Sequence, residues 1–407
     1  MHMVGPYAVL LQHIPSPIVH VECAINSGFL HETKETTGIN HLLEHVLTEA
    51  WTKCGSTCSE LWSKRGVEMN ASTDETLVQY YTSGTLANLT EMVQYITDIS
   101  DHPLMTRKVM EKEKEAVIDE LDTYGSDPES KIDAVFNHAA YTGGLVFKDD
   151  WKLQIANLKH ITLADIQKAY RENYNPRNMM YIVYGTFDDA AVLSIFRKEL
   201  QKKDAGKVVP PQCFTYAHKI LYSHEDSPTT KLVIGFPSAV MRGDEACIYA
   251  GVICAVLNNL LFTLLRTKLT LVYGVRFTRK TDACGTLLLC SIYARDKNVA
   301  PCLKALFGAL KDVQSGLPKE IVAAVKESEV YNHYNHLPYT QDYLLQYMHQ
   351  IGSKNPRIVS REDKIRLIKK MTTGVLTPHY RKLVNLDSAL CVYQGSKDLG
   401  LKWADFI

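Results

Sequence analysis

The same succession of strand and helix signals occurs twice along the 407 residues, on either side of a lysine-rich, proline-containing segment. That doubling limits the chain to folds made of two α+β units, and the length is too great for one ordinary core. In the first half, the Val- and Ile-rich run from Ile18 to Ser27 predicts a strand that ends at Gly28. Thr36 and Thr37 are candidate caps for a helix beyond it, and amphipathic runs near 86–100, 106–124 and 163–172 predict further helices. Met179 to Tyr184 predicts a buried strand. In the second half, β-branched runs from Lys231, Val272, Thr286 and Ala389 alternate with helical periodicity, as near 244–266, 319–335, 340–351 and 361–371. The expected fold class is α+β: two related domains, each an antiparallel-rich mixed sheet with helices packed mainly on one face. Residues 1–200 make the first domain, 201–218 with Pro210 and Pro211 the linker, and 219–407 the second domain.

Composition excludes several partner classes. Lys plus Arg equals Asp plus Glu at 45 each, so no net charge favours a nucleic acid or an anionic membrane. Met1 to Leu11 lacks the basic and apolar pattern of a secretory signal or transit peptide. The most apolar stretch, Ala250 to Leu265, is interrupted by Asn258, Asn259 and Thr263, so no membrane span is expected. The 10 cysteines show no paired spacing that completes a zinc site, Cys54 and Cys58 included. Free thiols are expected, in the cytoplasm or another reducing intracellular compartment.

The chemistry-bearing stretch is His41-Leu-Leu-Glu-His45. Its histidines stand at i and i+4, so a helix brings both imidazoles to one face, where they can share a metal ion. Glu44 falls near the same face, placed to take a proton from an activated water. The order is the H-x-x-E-H of inverted zinc peptidases. An amphipathic helix with surface histidines is the competing account. A two-histidine site needs a third ligand, and residues 106–124 offer Glu111, Glu113, Glu115 and Glu120. A solvated charged face accounts for Glu111 and Glu115. Glu113 and Glu120 lie two turns apart on one face, and Glu120 is the candidate ligand, although spacing alone does not select it over its neighbours.

Together these residues resemble the pitrilysin/insulysin-type (M16) zinc metallopeptidases over nearly the whole chain. The likeness includes His41 to His45, Gly66 with Asn70-Ala71, Glu113 to Glu120, the Tyr174-Asn-Pro-Arg-Asn-Met179 turn, and Arg266 with Tyr273. It implies a half-clamshell of two domains and one Zn2+ per chain, held by His41, His45 and Glu120. Glu44 would be the general base and Glu113 a support for the site. Asn70 and Ala71 would pair with an extended peptide substrate, and Arg266 and Tyr273 would contact that substrate, the phenol stabilising the oxyanion. A chain that carries both sets of residues implies a homodimer, with a heterodimer as the variant. The implied activity is hydrolysis of short or unfolded peptides. The alternatives are a noncatalytic partner subunit and a metal-dependent hydrolase of another bond. Leu42 stands where the family more often has Phe, and the residues after His45 lack its usual Gly-Thr, which bears on substrate contacts and helix packing more than on metal binding.

Overall fold

The structure, a computed structural model, describes residues 1–51, 58–140, 150–201, 203–208, 218–238, 245–282, 285–335 and 359–407. Most of the expected linker, the helix expected at 340–351, Asp244 and Cys54 lie outside the described residues. The described chain forms two compact units. One comprises 1–125 and 150–208, the other 126–140, 218–335 and 359–407.

In the first unit, strands β1 (His2–Val4), β2 (Tyr7–His13), β3 (Ile18–Ile25), β4 (Glu68–Thr73), β5 (Val78–Thr85) and β6 (Met179–Gly185) form one sheet in the order β1-β2-β6-β3-β5-β4. Only β2 and β6 run parallel. Alternation along β3 decides its two faces. Val19, Val21, Cys23 and Ile25 enter the main core, which they share with helices α1 (Ile39–Thr48), α2 (Cys58–Lys64), α3 (Leu89–Asp101) and α4 (Arg107–Ser126). Ala24 joins Ala8, Leu77, Met180 and Ile182 on the other face, a small cluster without helical members. The helices thus cover one face, as expected.

The second unit begins with α5 (Pro128–Ala140), a helix the local sequence signals did not reveal. The first unit resumes with α6 (Trp151–Leu158), α7 (Leu163–Asn173) and α8 (Asp189–Glu199). Residues 126–140 therefore join the second unit, although the sequence division placed them in the first. The cause is packing: Ile132 and Phe136 of α5 are buried, and Phe136 sits against Gly235, where a Cβ would run into its ring.

The second sheet contains β7 (Ile220–His224), β8 (Thr230–Ser238), β9 (Val272–Asp282), β10 (Gly285–Ala294) and β11 (Leu390–Gly395), in the order β7-β11-β8-β10-β9. Here β7 runs parallel to β11, as β2 does to β6, and every other pair is antiparallel. With β2 to β6 matched to β7 to β11, the two sheets have the same strand order and directions. This is the expected duplication. It makes α9 (Glu245–Leu261), between β8 and β9, the counterpart of α1, between β3 and β4. Helices α10 (Asp296–Asp312), α11 (Lys319–Asn335), α12 (Arg361–Lys370) and α13 (Thr373–Leu383) complete the described unit.

Helix α9 is continuous through Asn258 and Asn259, where the sequence suggested interruptions. With the π-helical turn Phe262–Lys268 that follows it, Cys247–Lys268 spans 22 residues and contains an 18-residue window of mean hydropathy 2.0, long and apolar enough by length and composition to cross a membrane. Its apolar residues include Ala250, Ile253, Val256, Leu257, Leu261 and Leu265, all members of the second core. Asn258 does not break the helix, because its amide exchanges hydrogen bonds with the Phe277 backbone, at 2.8 Å to the carbonyl and 2.6 Å from the N–H. The free-thiol expectation holds for Cys23, Cys247, Cys254, Cys290, Cys302 and Cys391, all buried, but Cys58 is disulfide-bonded.

One buried carboxyl makes stability depend on pH. Glu22 accepts a hydrogen bond from Gln79 Nε2 at 2.7 Å, and burial raises its pKa from 4.5 to about 7. The folded state then holds this proton more tightly than the unfolded one, so stability falls as pH rises from about 4.5 through 7. The difference amounts to about 3 kcal/mol above that window. Glu22→Gln keeps an acceptor for Gln79 and removes the titration. Its melting temperature is expected to exceed wild type near pH 8 and to match it near pH 4, and parallel melting curves at both pH values would refute this.

Candidate metal centre

Helix α1 starts at Gly38, whose φ of 94° suits glycine. No threonine caps it. The carboxylate of Glu32 accepts the Gly38 N–H at 2.9 Å and the Asn40 N–H at 2.8 Å, supplying the acceptor that the first turn lacks. Thr37 bonds Glu32 instead of capping, and Asn40 is fixed in turn by Ser27 and the Gly28 carbonyl. Leu42, Leu43, Val46 and Leu47 are fully buried in the core and so set the rotation of α1. The remaining face carries His41, Glu44 and His45.

Helix α4 brings the acidic side. Glu120 Oε2 stands 3.5 Å from the Nε2 atoms of both His41 and His45. The two rings are nearly perpendicular, at 78° with centroids 5.0 Å apart. One donor atom from each of the three residues lies within 4.8 Å of the others, the only such group among the described residues. Bonds of about 2.0–2.2 Å place neighbouring donors of a tetrahedral ion about 3.3–3.6 Å apart. The two 3.5 Å separations fit a small tetrahedral cation, and the N, N, O donor set is a zinc set.

The surrounding groups hold this arrangement. Two turns before Glu120, Glu113 places Oε2 3.4 Å from His45 Nδ1 while Lys112 donates to its Oε1 at 2.9 Å. This fixes the ring so that Nε2 faces the cluster. Burial works against the carboxylate of Glu113, but His45 and Lys112 outweigh it and lower its pKa. Hydrogen bonds from His41 and His45 hold Glu120 well below the usual carboxylate range. Burial likewise opposes a charged His45, yet Glu113 and Glu120 raise it to about 9. Glu44 is buried, which raises its pKa, and it accepts a 2.6 Å hydrogen bond from Thr73 Oγ1.

Thr73 ends β4, the strand at the edge of the first sheet. Asn70 and Ala71 lie on this strand opposite Tyr81 and Tyr80 of β5. The Ala71 N–H is bonded to the Asn70 side chain at 2.8 Å rather than to a further strand. The edge that the sequence nominated for an extended peptide is thus tied through Thr73 to Glu44. Arg266 and Tyr273 belong to the second unit and are not members of the cluster. Arg266 Nη1 donates to the Val272 carbonyl at 3.3 Å, and Arg295 Nε donates to the Tyr273 hydroxyl at 2.8 Å.

The sequence reading missed Glu32, Thr73 and Tyr124, the last of which donates to Glu120 Oε1 at 2.5 Å. Helical spacing could have found Tyr124, at i+4 from Glu120. Thr73 shares a strand face with Ala71, which is a weaker signal. Nothing local marks Glu32.

Comparison with known proteins adds family context. Residues 8–147 match the family described as Insulinase (Peptidase family M16), and residues 160–329 match Peptidase M16 inactive domain. The chain is 30% identical over 166 residues to the Uncharacterized zinc protease YmfH of Bacillus subtilis (strain 168), covering 41% of this chain and 38% of that protein. It is 21% identical over 227 residues to Cytochrome b-c1 complex subunit 1, mitochondrial, of Bos taurus, covering 54% of this chain and 46% of that one. The fold superposes on a protease from Helicobacter pylori with a TM-score of 0.82 at 14% identity, over 97% of this chain and 98% of the other.

Proposed function

Since this chain belongs to peptidase family M16, we propose that it is a zinc-dependent endopeptidase acting on short or unfolded peptides. The observation that carries this reading is the preformed His41, His45 and Glu120 donor set, with buried Glu44 beside it bonded to the edge strand. Zinc, when bound there, supplies a Lewis acid for the scissile carbonyl and lowers the pKa of water. Glu44 takes the proton of the attacking water and delivers it to the departing amine. Glu113 keeps His45 oriented, with Nδ1 engaged and Nε2 facing Glu120, where it would serve as a zinc ligand. Backbone groups of Asn70 and Ala71 align an extended peptide by strand addition once the Asn70 side chain releases the Ala71 N–H. Arg266 and Tyr273 contact the substrate from an opposite copy in a homodimer, the phenol donating to the oxyanion. A heterodimer in which a partner supplies these contacts is the variant, and light scattering of the active species separates a dimer from a monomer. The proposed location is the cytoplasm or another reducing compartment, on the six buried free thiols among the described residues, with the Cys58 disulfide as the observation against it.

Similarity to the Bos taurus subunit supports a second reading, a noncatalytic subunit of a larger complex. The donor set argues against it, because a scaffold has no physical need for three convergent metal-binding groups beside a buried carboxyl. Quenched-fluorescent peptides test the choice. Hydrolysis is expected to stop on chelation and to return with stoichiometric zinc. Zinc-loaded protein inert towards a broad peptide library would favour the noncatalytic reading.

A further inference from the structure

The two oxygens of Glu120 have different neighbours. Oε2 faces both imidazoles at 3.5 Å, whereas Oε1 accepts the phenolic hydrogen of Tyr124 at 2.5 Å. Tyr124 follows Glu120 by one turn of α4, so a continuous helix sets the contact and no loop has to place it. We propose that Tyr124 is a positioning residue that holds Glu120 as a one-oxygen ligand and so keeps one place on the bound ion open. The proposal rests on the zinc reading above.

A carboxylate with both oxygens available can grip a cation with the pair, turning three protein donors into four and closing the position a water needs in a catalytic zinc site. The Tyr124 O–H engages a lone pair of Oε1 and makes that oxygen a poorer ligand. A lysine or arginine in its place would do the same but would add a positive charge beside the ion. A phenol is neutral and leaves the carboxylate charge available at Oε2. Tyr124 is exposed, and an ordinary phenol keeps its hydrogen across the neutral range.

Tyr124→Phe removes the hydroxyl and keeps the ring. Zinc affinity, measured by competition with a chromophoric chelator, is expected to hold or tighten, because the freed Oε1 adds a fourth protein donor. Cobalt substitution reads the coordination directly, since four-coordinate Co2+ absorbs visible light more strongly than five- or six-coordinate Co2+. The wild type is expected to show the strong band and the variant a weaker one. Equal zinc affinities with identical cobalt spectra would overturn the proposal. So would a weaker affinity with an unchanged spectrum, which would mean that Tyr124 acts through packing alone. Wild-type protein that takes up no zinc would instead sink the metal reading, and the proposal with it.

Discussion

Glu44→Gln is expected to lower peptide hydrolysis by about 10²- to 10⁴-fold, the range for losing a positioned general base, with zinc binding retained. The substitution is nearly isosteric, and the amide oxygen of Gln can still accept the 2.6 Å hydrogen bond from Thr73. Helix α1 keeps its packing, because Leu42, Leu43, Val46 and Leu47, and not residue 44, anchor it in the core. What disappears is the ability to take a proton from water and return it to the leaving amine. The loss should fall on kcat more than on KM, since Glu44 meets the reacting water and not the bulk of the peptide. Purified wild type and variant, compared on one fluorogenic peptide at matched zinc content, decide the matter. Equal rates would remove Glu44 from the mechanism.

The other large effect belongs to His45→Ala. This side chain lies between two carboxylates, with Nδ1 3.4 Å from Glu113 and Nε2 3.5 Å from Glu120. Its removal takes away one of three donors, which costs more affinity than the roughly 10- to 100-fold lost with an outer partner. It also leaves Glu113 and Glu120 without the imidazole that pairs with both. Metal analysis after dialysis is expected to show near-stoichiometric zinc in the wild type and almost none in the variant, with peptide hydrolysis abolished. Circular dichroism should show the fold intact, because His45 is not one of the apolar anchors of α1. Full zinc occupancy in the variant would mean that the ion is held elsewhere.

These expectations draw on two kinds of information. Local periodicity carried much of the first. The i, i+4 spacing of His41 and His45 determines that both rings share a face of any helix they form. The two-turn interval of Glu113 and Glu120 does the same on α4. The doubled strand and helix pattern likewise announced two similar units, and the shared order of β2 to β6 and β7 to β11 agrees with it.

Other features had no local signal. Strand β2 pairs with β6 in parallel, far along the chain, and nothing in Tyr7–His13 names that partner. Helix α5 belongs to the second unit because Phe136 fits over Gly235, a match between surfaces and not a pattern in either segment. The charged face of α4 offered several glutamates, and only the way α4 meets α1 brought Glu120 to both imidazoles and Glu113 to one, while Glu111 and Glu115 remain exposed. Glu32 caps α1 from outside any capping motif, and Tyr124 and Thr73 find their partners in the same assembled site. The sequence by itself determined which residues share a face, because helix and strand periods are properties of the backbone. The tertiary structure decided which faces meet, because that depends on the fit of apolar surfaces brought together from distant parts of the chain.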